Sequence, residues 1–230
     1  MSLTRRRRRR DARRDDILRA AGRMFRSHGF AGTGMRDIAD AADLSPANLY
    51  HYFRGKDEIL FYCQDRALDR MLDAVTGARA ASGPAAARLQ RVLAAHVLTM
   101  LDAVEGASAH VQIDSLPPSL RERIVRKRDR YERGLRQLIE AGIARREFAA
   151  GDPALVTRAM LGAMNWTATW FRPDGRHDAA TVGDGIAGFL VRGLEIPRAS
   201  ARASRANGAG IMGSPRVSAQ GAAGRSPLTY

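Results

Sequence analysis

The sequence predicts an all-α protein in which a three-helix, helix-turn-helix domain at the N-terminus is joined to a larger helical domain. Between residues 11 and 195, apolar residues recur three and four positions apart, which is the period of an amphipathic helix. Alternating strand patterns are missing, as are Asn-Gly or Asp-Gly hairpin signals between β-branched runs. The third observation is the segment SPANLYHYFRGK (45–56), which opens like a helix but carries aromatic and basic side chains instead of an apolar stripe.

The size and composition of the chain narrow its class. Its 230 residues allow one domain or two small ones with a real core, and 45% apolar residues is ordinary for a soluble globular protein. No segment approaches the roughly eighteen uncharged apolar residues that a membrane helix requires. The basic N-terminus lacks the apolar segment of a signal peptide, so a cytoplasmic protein without a membrane partner is expected. The single cysteine, Cys63, excludes an internal disulfide and a four-thiolate zinc site.

Positive charge is concentrated at the two ends of the chain. The net charge is +14, of which residues 1–56 carry +8, residues 196–230 carry +5 and residues 57–195 only +1. Concentrated positive charge on a small folded unit is typical of proteins that bind a polyanion. The alternative is that the basic ends only confer solubility, which suits residues 196–230 better than residues 1–56.

Both terminal segments are expected to be disordered. Residues 1–10 contain six consecutive arginines, Arg5 to Arg10, which repel one another until they meet an anion. Residues 196–230 are rich in Ala, Ser, Gly, Arg and Pro and offer almost no large apolar side chains for a core. The sequence thus divides into an arginine-rich arm (1–10), a helix-turn-helix domain (11–56), a larger helical domain (57–195) and a tail (196–230).

The N-terminal part of the chain contains four predicted helices, Asp11–Ser27, Gly34–Ala42, Pro46–Phe53 and Lys56–Thr76. Gly29 ends the first of them, because glycine readily adopts the left-handed backbone that often closes a helix. The acidic pair Asp57–Glu58 suits the positive end of the fourth. Apolar residues at helical spacing are expected to face inward on the first and fourth helices: Ile17, Leu18, Ala21, Met24, Phe25, Ile59, Leu60, Cys63, Ala67, Met71 and Val75.

Four further helices are predicted after Gly83-Pro84. The first carries an apolar stripe from Leu89 to Val104 that includes His96, and SLPPS (115–119) breaks the chain before the second. In the second helix a shared apolar face is formed by Ile124, Tyr131, Leu135 and Leu138.

The last two predicted helices, Ala154–Phe171 and Ala179–Leu194, are the natural surface for dimerisation. Between Ala159 and Phe171 the first of them carries no charge, unlike an ordinary surface helix with one polar face. Small residues such as Gly185 and Gly188 in the second allow another helix to approach closely. A position in the core is the alternative explanation, and both hold if such a helix has two apolar sides.

The second and third helices have the spacing of a helix-turn-helix. Asp43 stands at the turn position that often needs a left-handed backbone, which Asp tolerates better than most residues. Ser45 is a good N-cap and Pro46 a favourable first helical residue. Leu44 before the cap and Leu49 at the fourth helical position form a hydrophobic staple.

The outward face of the third helix suits the major groove of DNA. Asn48 carries an amide that hydrogen-bonds base edges, best with adenine. Pro46 and Ala47 can contact a thymine methyl, and Arg36 on the second helix can reach guanine or a phosphate. The alternative is a plain helical hairpin with solvated aromatic side chains.

Phosphate contacts are expected around this face. Tyr50, Tyr52 and Lys56 can reach phosphates, and Thr33 can join the backbone N–H groups at the start of the second helix. The complete set of candidate DNA contacts is Thr33, Arg36, Ser45, Pro46, Ala47, Asn48, Tyr50, His51, Tyr52 and Lys56.

The segment ILRAAGRMFRSHGFAGTGMRDIADAADLSPANLYHYFRGKDEIL resembles the N-terminal domain of the TetR/AcrR family of transcriptional regulators. The sequence departs from the family pattern at Asp43-Leu44, where Gly-Val is commoner, and at Tyr52, where His is commoner. The resemblance implies a homodimer, a palindromic operator and a variable C-terminal ligand-binding and dimerisation domain. It also implies base-facing positions for Arg36, Pro46, Ala47, Asn48 and His51, and phosphate-facing positions for Thr33, Tyr50, Tyr52 and Lys56.

The stretch MNWTATWFRPDGR (164–176) resembles a subgroup of these regulators that respond to acyl-CoA thioesters in lipid or steroid breakdown. Trp166 and Trp170 lie one helical turn apart and can line an apolar slot, while Asn165 and His96 are polar groups on otherwise apolar helices. The candidate ligand contacts are His96, Arg128, Tyr131, Asn165, Trp166 and Trp170, with arginines meeting phosphates. The alternatives are a hydrogen-bonded core histidine, core tryptophans and arginines that face water.

The sequence thus predicts a ligand-responsive repressor that binds double-stranded DNA as a dimer and is released by a small apolar effector. No cofactor, metal or enzymatic activity is expected, since a His-x-x-x-His pair, a Gly-x-Ser-x-Gly elbow and a Gly-rich phosphate loop are all missing. A transcriptional activator and an unspecific DNA-coating protein remain alternatives. For the arginine run, an arm that follows the minor groove or phosphates and an unspecific tether are equally compatible with the sequence.

Overall fold

The computed structural model describes residues 2–102, 113–149 and 151–196, with side chains from residue 5 onward. In these residues the helices are α1 (Ser2–His28), α2 (Met35–Ala41), α3 (Pro46–Tyr50), α4 (Lys56–Ala80), α5 (Ala85–Leu101), α6 (Pro118–Ala144), α7 (Pro153–Trp170) and α8 (Ala179–Arg192). A 3₁₀ turn spans Ile113–Ser115, and one isolated bridge joins Phe148 to Glu195. The all-α prediction is confirmed.

The two terminal segments, both expected to be disordered, differ in what the structure describes. Residues 197–230, expected to form a disordered tail, lie outside the described residues, as does Val104 of the predicted stripe. Ser2 begins α1, so the expectation of a disordered arm over residues 1–10 is wrong for residues 2–10. Arginine has a high helix propensity, and residues 2–10 contain no Gly or Pro to interrupt the helix. Because Arg5 to Arg10 are all exposed, solvent and salt screen their repulsion.

The first four helices enclose a small apolar core. α1 packs against α2 and α4, and α2 packs against α3. Ile17 and Ala21 of α1, Ile38 of α2 and Leu49 of α3 are completely buried in this core. Burial of Leu49 contributes about 2 kcal/mol, which matters because a helix as short as α3 is unstable by itself.

α4 connects the two parts of the fold. It packs against α1, and also against α5 and α6 of the larger part. The residues predicted to face inward on α4, from Ile59 to Val75, are all buried. Lys127 of α6 ties the two helices further, since its Nζ lies 2.6 Å from carboxylate oxygens of both Asp65 and Asp69. The domain division drawn between residues 56 and 57 stays a prediction.

α5 is the central helix of the larger part and packs against α4, α6, α7 and α8. Leu89, Leu93 and Val97 on α5 are fully buried, as the sequence stripe predicts. α8 approaches α5 closely at Gly183, where a Cβ atom would lie 3.3 Å from the carbonyl oxygen of Ala94. Among the described residues, none of the helices has the length and apolar content needed to cross a membrane.

A direct contact also joins α1 to the end of α5. Arg26, in the last turn of α1, donates from Nη2 to the carbonyl oxygen of Asp102 at 2.9 Å. Asp102 is the C-cap of α5, and its carboxylate accepts a hydrogen bond of 3.4 Å from Nη1 of Arg70. The C-terminal end of α5 therefore lies against the N-terminal helices.

Candidate nucleic-acid interface

The turn between α2 and α3 is defined by backbone geometry and capping. Asp43 has a φ of 52°, which confirms the left-handed conformation predicted for it. The N–H of Leu44 donates to the carbonyl of Ala39 at 2.9 Å, and Ser45 Oγ accepts the N–H of Asn48 at 3.3 Å as the N-cap of α3. These contacts fix the direction in which α3 leaves the turn.

Most of the candidate DNA contacts lie on one exposed surface. Exposed side chains are found at Arg36, Ser45, Pro46, Ala47, Asn48, Tyr50 and His51. Tyr50 is 54% exposed although it is a large aromatic residue, and Tyr52 is half-buried against the core. The sequence predicts phosphate contacts for both tyrosines, and Tyr50 is the more exposed of the two. His51, the C-cap of α3, still has right-handed helical angles, with φ −70° and ψ −20°.

Thr33 does not belong to this surface. Only 1% of it is exposed, and its hydroxyl donates to the carbonyl of Gly29 at 2.7 Å and lies 3.2 Å from that of Met24. The predicted phosphate contact of this side chain is therefore wrong, because the hydroxyl is used to close the end of α1. Gly34, with no side chain to offer, precedes α2, and its N–H donates to Asp37 Oδ2 at 2.7 Å.

Lys56 also has a structural role that the sequence did not indicate. Its Nζ donates to the carbonyl oxygens of Phe30 at 2.9 Å and Thr33 at 3.1 Å. The ammonium also lies 4.5 Å from the centre of the Phe30 ring, a favourable cation–π position. These bonds use two of the three N–H donors of Lys56, and its phosphate contact stays a prediction.

Two arginines of α1 that the sequence analysis did not single out hold this surface in place. Arg13 donates from Nη2 to the carbonyls of Ala42 at 3.2 Å and Asp43 at 3.1 Å. Arg14 lies over the rings of Phe53 and Tyr62, at 4.8 and 4.5 Å from their centres. The carbonyls at a helix C-terminus need hydrogen-bond donors. This need is the feature from which the role of Arg13 could have been predicted.

Three of the predicted ligand contacts meet inside the larger part of the fold. His96 of α5 is 1% exposed, and its Nδ1 lies 3.0 Å from the hydroxyl of Tyr131 on α6. Its Nε2 lies 3.0 Å from Oδ1 of Asn165 on α7. Because an amide oxygen only accepts, Nε2 carries the proton and the Tyr131 hydroxyl donates to Nδ1. This buried triad of His96, Tyr131 and Asn165 joins three helices.

The two tryptophans lie elsewhere. Trp166 is 65% exposed and Trp170 is 45% exposed, so the prediction that they line an apolar slot is wrong. Each helical residue turns the side-chain direction by about 100°, which places Trp166 away from its inward neighbour Asn165. Trp170, one turn later, shares the outward direction. Leu155 on α7, 66% exposed, and Phe189 on α8, 69% exposed, are also large apolar residues facing outward.

Sequence profiles of known families match both parts of the chain. Residues 17–63 match the profile described as bacterial regulatory proteins, tetR family, and residues 82–194 match the tetracyclin repressor-like C-terminal domain. The crystal structure of PfmR, a TetR-family transcriptional regulator from Thermus thermophilus, is 34% identical in sequence. It superposes with a TM-score of 0.71 and matches over 78% of this chain and 99% of PfmR.

This chain belongs to the TetR family of transcriptional regulators. Members of this family are DNA-binding regulators and not enzymes, and the resemblance found in the sequence is confirmed.

Two further relatives of this TetR-family regulator cover most of its length. The HTH-type transcriptional repressor KstR2 of Rhodococcus jostii is 27% identical over 194 residues, which is 80% of this chain and 92% of KstR2. The structure of AibR in complex with isovaleryl coenzyme A and operator DNA is 24% identical, with a TM-score of 0.64. It matches over 78% of this chain and 98% of AibR, and at this identity the likeness shows the fold alone.

Arg128 adds a cation near the buried triad of the TetR-family regulator. It lies on α6, one turn before Tyr131, and is half-buried. Burial lowers the pKa of its guanidinium, while the nearby Asp114 raises it. Asp114 also pairs with Arg121 at 3.6 Å. In the part of the chain that the structure describes, no group of three or more His, Cys, Asp and Glu side chains is placed to hold a metal.

The titration of His96 makes the stability of the regulator depend on pH. Burial lowers the pKa of His96 from 6.5 to about 4, against the raising effect of its hydrogen bond to Asn165. Between pH 6.5 and 4, His96 therefore binds a proton in the unfolded chain but not in the folded chain. The free energy of unfolding decreases as the pH is lowered through this window. When the pH is lowered from 7 to 4, we expect the wild type to lose about 3 kcal/mol more free energy of unfolding than the His96→Gln variant loses.

Urea unfolding of both proteins at pH 7 and pH 4 measures this difference. The variant itself is the control, because it retains every other titrating group. Equal losses of unfolding free energy in the two proteins would contradict a buried neutral His96.

Proposed function

We propose that this TetR-family regulator is a repressor that binds a palindromic operator as a dimer and leaves DNA when a small apolar effector binds. The observation that carries the proposal is the exposed pair Asn48 and His51 on a capped helix whose exit angle is fixed by the turn at Asp43. The relative KstR2 is a transcriptional repressor, which supports repression as the result of DNA binding.

The exposed surface of α3 supports direct reading of bases. Asn48 offers an amide for adenine, and His51 follows it by three positions on the same side of the helix. Arg36 is exposed on α2 and suits guanine or a phosphate. Tyr50 supplies a hydroxyl that can hydrogen-bond a phosphate of the DNA backbone beside these bases. Side chains with these donors and acceptors distinguish base sequences, which an unspecific DNA-coating protein does not require.

We expect Asn48→Ala with His51→Ala to abolish most of the preference for an operator over random DNA. Each lost base contact removes about 1–3 kcal/mol of discrimination. Fluorescence anisotropy measures this with a duplex that the full chain enriches from a random pool and with a random duplex of equal length.

Gln137→Ala is the matched control, because it removes an exposed amide on α6, away from α3. An unchanged operator preference in the double variant would rule out α3 as the recognition helix. Failure of the wild type to enrich any duplex would refute sequence-specific binding.

Outward apolar residues on α7 and α8 support the dimer. Leu155, Trp166 and Trp170 on α7 and Phe189 on α8 are exposed, although water-facing residues of this size are unfavourable in a monomer. A Cβ atom at Gly162 of α7 would meet nothing within 4 Å, which leaves room for a second helix. A dimer through these helices would set two α3 helices about 34–36 Å apart or at a multiple of that spacing.

We expect Trp166→Glu with Phe189→Glu to produce a monomer, because two buried carboxylates would each lose their hydration at the interface. Sedimentation velocity measures the mass. Val125→Glu is the control, since Val125 is 41% exposed on α6, and it should leave a dimer. A double variant that sediments as the wild type does would contradict this interface.

The buried triad and Arg128 support an effector site between α5, α6 and α7. The triad places three hydrogen-bonding groups on otherwise apolar helix faces, which is the composition of ligand pockets. Arg128, half-buried one turn away, offers a guanidinium to an anionic group. An acyl-CoA thioester combines an apolar chain with phosphates, and the AibR structure contains such a molecule.

Isothermal titration with CoA thioesters of increasing chain length tests this effector class. We expect Arg128→Gln to weaken thioester binding by about tenfold or more, as a lost charged contact costs about 1.5–3 kcal/mol. Arg130→Gln, an exposed neighbour on α6, should bind as the wild type does. Operator release should follow the same order of chain lengths. An absence of binding at every chain length would exclude acyl-CoA thioesters.

A further inference from the structure

The arginine run is not evenly distributed around α1. Arg6, Arg9 and Arg10 line an open groove of about 590 Å³ together with Leu44, Asn48, His51 and Tyr52. Arg5, Arg7 and Arg8, in contrast, are not among the residues that line it. One face of the arginine helix thus borders the same groove as the DNA-facing residues of α3.

The direction of this face is fixed by contacts immediately after the run. Arg13 binds the carbonyls at the end of α2, and Arg14 stacks on Phe53 and Tyr62. Arg6 and Arg9 precede Arg13 by seven and four positions, which places all three on one side of a continuous helix. α1 is therefore anchored with that side toward the α2–α3 turn.

The electrostatics of the N-terminal turns call for an anion. The N-terminal end of a helix carries partial positive charge, and α1 has no acidic residue in its first turn. Pairs such as Arg5 with Arg9 and Arg6 with Arg10 also place like charges four residues apart. A polyanion next to this end offsets both repulsions at once.

We infer that Arg6, Arg9 and Arg10 form a rigid phosphate clamp beside the recognition helix, which binds the DNA strand bordering the major groove that α3 enters. The clamp is distinct from a flexible arm or an unspecific tether, because three of the six arginines bind phosphates and the other three do not. It rests on the proposed DNA binding by α3 and adds a sequence-independent contribution to affinity and register. DNA binding also stabilises the helical form of residues 5–10.

Two variants of equal net charge test the clamp. Arg6/Arg9/Arg10→Gln removes the groove-facing arginines, and Arg5/Arg7/Arg8→Gln removes the same number of arginines that do not line the groove. Glutamine retains a helix propensity close to that of arginine. Circular dichroism and the thermal midpoint verify that both variants fold as the wild type does. Anisotropy titrations then use the enriched and random duplexes at 50–200 mM KCl.

The groove-facing variant should reduce the slope of log affinity against log salt by about 2.7, because three phosphate contacts and their counterions are lost. Between 50 and 200 mM salt, the wild type then loses about forty-fold more affinity than this variant. The other variant should change the slope by less than about 1. Equal slope changes in the two variants would overturn the clamp in favour of an unspecific tether.

Amide hydrogen exchange gives a second measurement. Exchange of residues 5–10 should slow on DNA in the wild type and in Arg5/Arg7/Arg8→Gln, but not in Arg6/Arg9/Arg10→Gln. Unchanged exchange in DNA-bound wild type would overturn the proposal. The two proposals fail in different measurements. If α3 does not recognise the operator, the Asn48→Ala, His51→Ala double variant keeps its operator preference. If the clamp does not form, the salt slopes of the two arginine variants change equally on either duplex.

Discussion

The angle at which α3 leaves α2 is the constraint on which the DNA-facing surface depends. A five-residue helix has too few internal hydrogen bonds to hold its own direction, so its surroundings must do so. Three contacts supply the constraint: the left-handed backbone of Asp43, the complete burial of Leu49, and the two hydrogen bonds from Arg13 to the turn carbonyls. Because these contacts lie on the inward side, the residues on the outward side remain free for a ligand.

Two polar side chains among the candidate DNA contacts also serve the fold. The Thr33 hydroxyl and the Lys56 ammonium both bind backbone carbonyls around the turn that follows α1. Carbonyls at a helix end must find donors, and here side chains of the same chain supply them. Lys56 is also the first residue of α4, so its two hydrogen bonds attach that helix to the N-terminal core.

The proposed effector site and the candidate DNA-facing surface are joined by a short chain of helix contacts. α4 packs on α1 and also on α5 and α6, while Lys127 bonds α6 to two carboxylates of α4. Arg26 adds a hydrogen bond from α1 to Asp102 at the end of α5. The triad of His96, Tyr131 and Asn165 spans α5, α6 and α7, and these helices are connected to α1 through α4 and Asp102.

The sequence by itself determined the helices, their buried stripes and the chemistry of the turn, because apolar periodicity and the backbone preference of Asp43 act locally. It also brought His96, Tyr131 and Asn165 into one candidate set, since a ligand pocket requires polar groups on otherwise apolar helices. Only the tertiary structure decided that Trp166 and Trp170 face outward, that Thr33 and Lys56 bind carbonyls, and that the arginine run continues α1. Periodicity identifies residues that share a helix face, but an apolar face has the same sequence whether it covers its own core or awaits a second subunit. A donor likewise has the same sequence whether its acceptor is a phosphate or a distant carbonyl, and only the packed chain brings that carbonyl within reach.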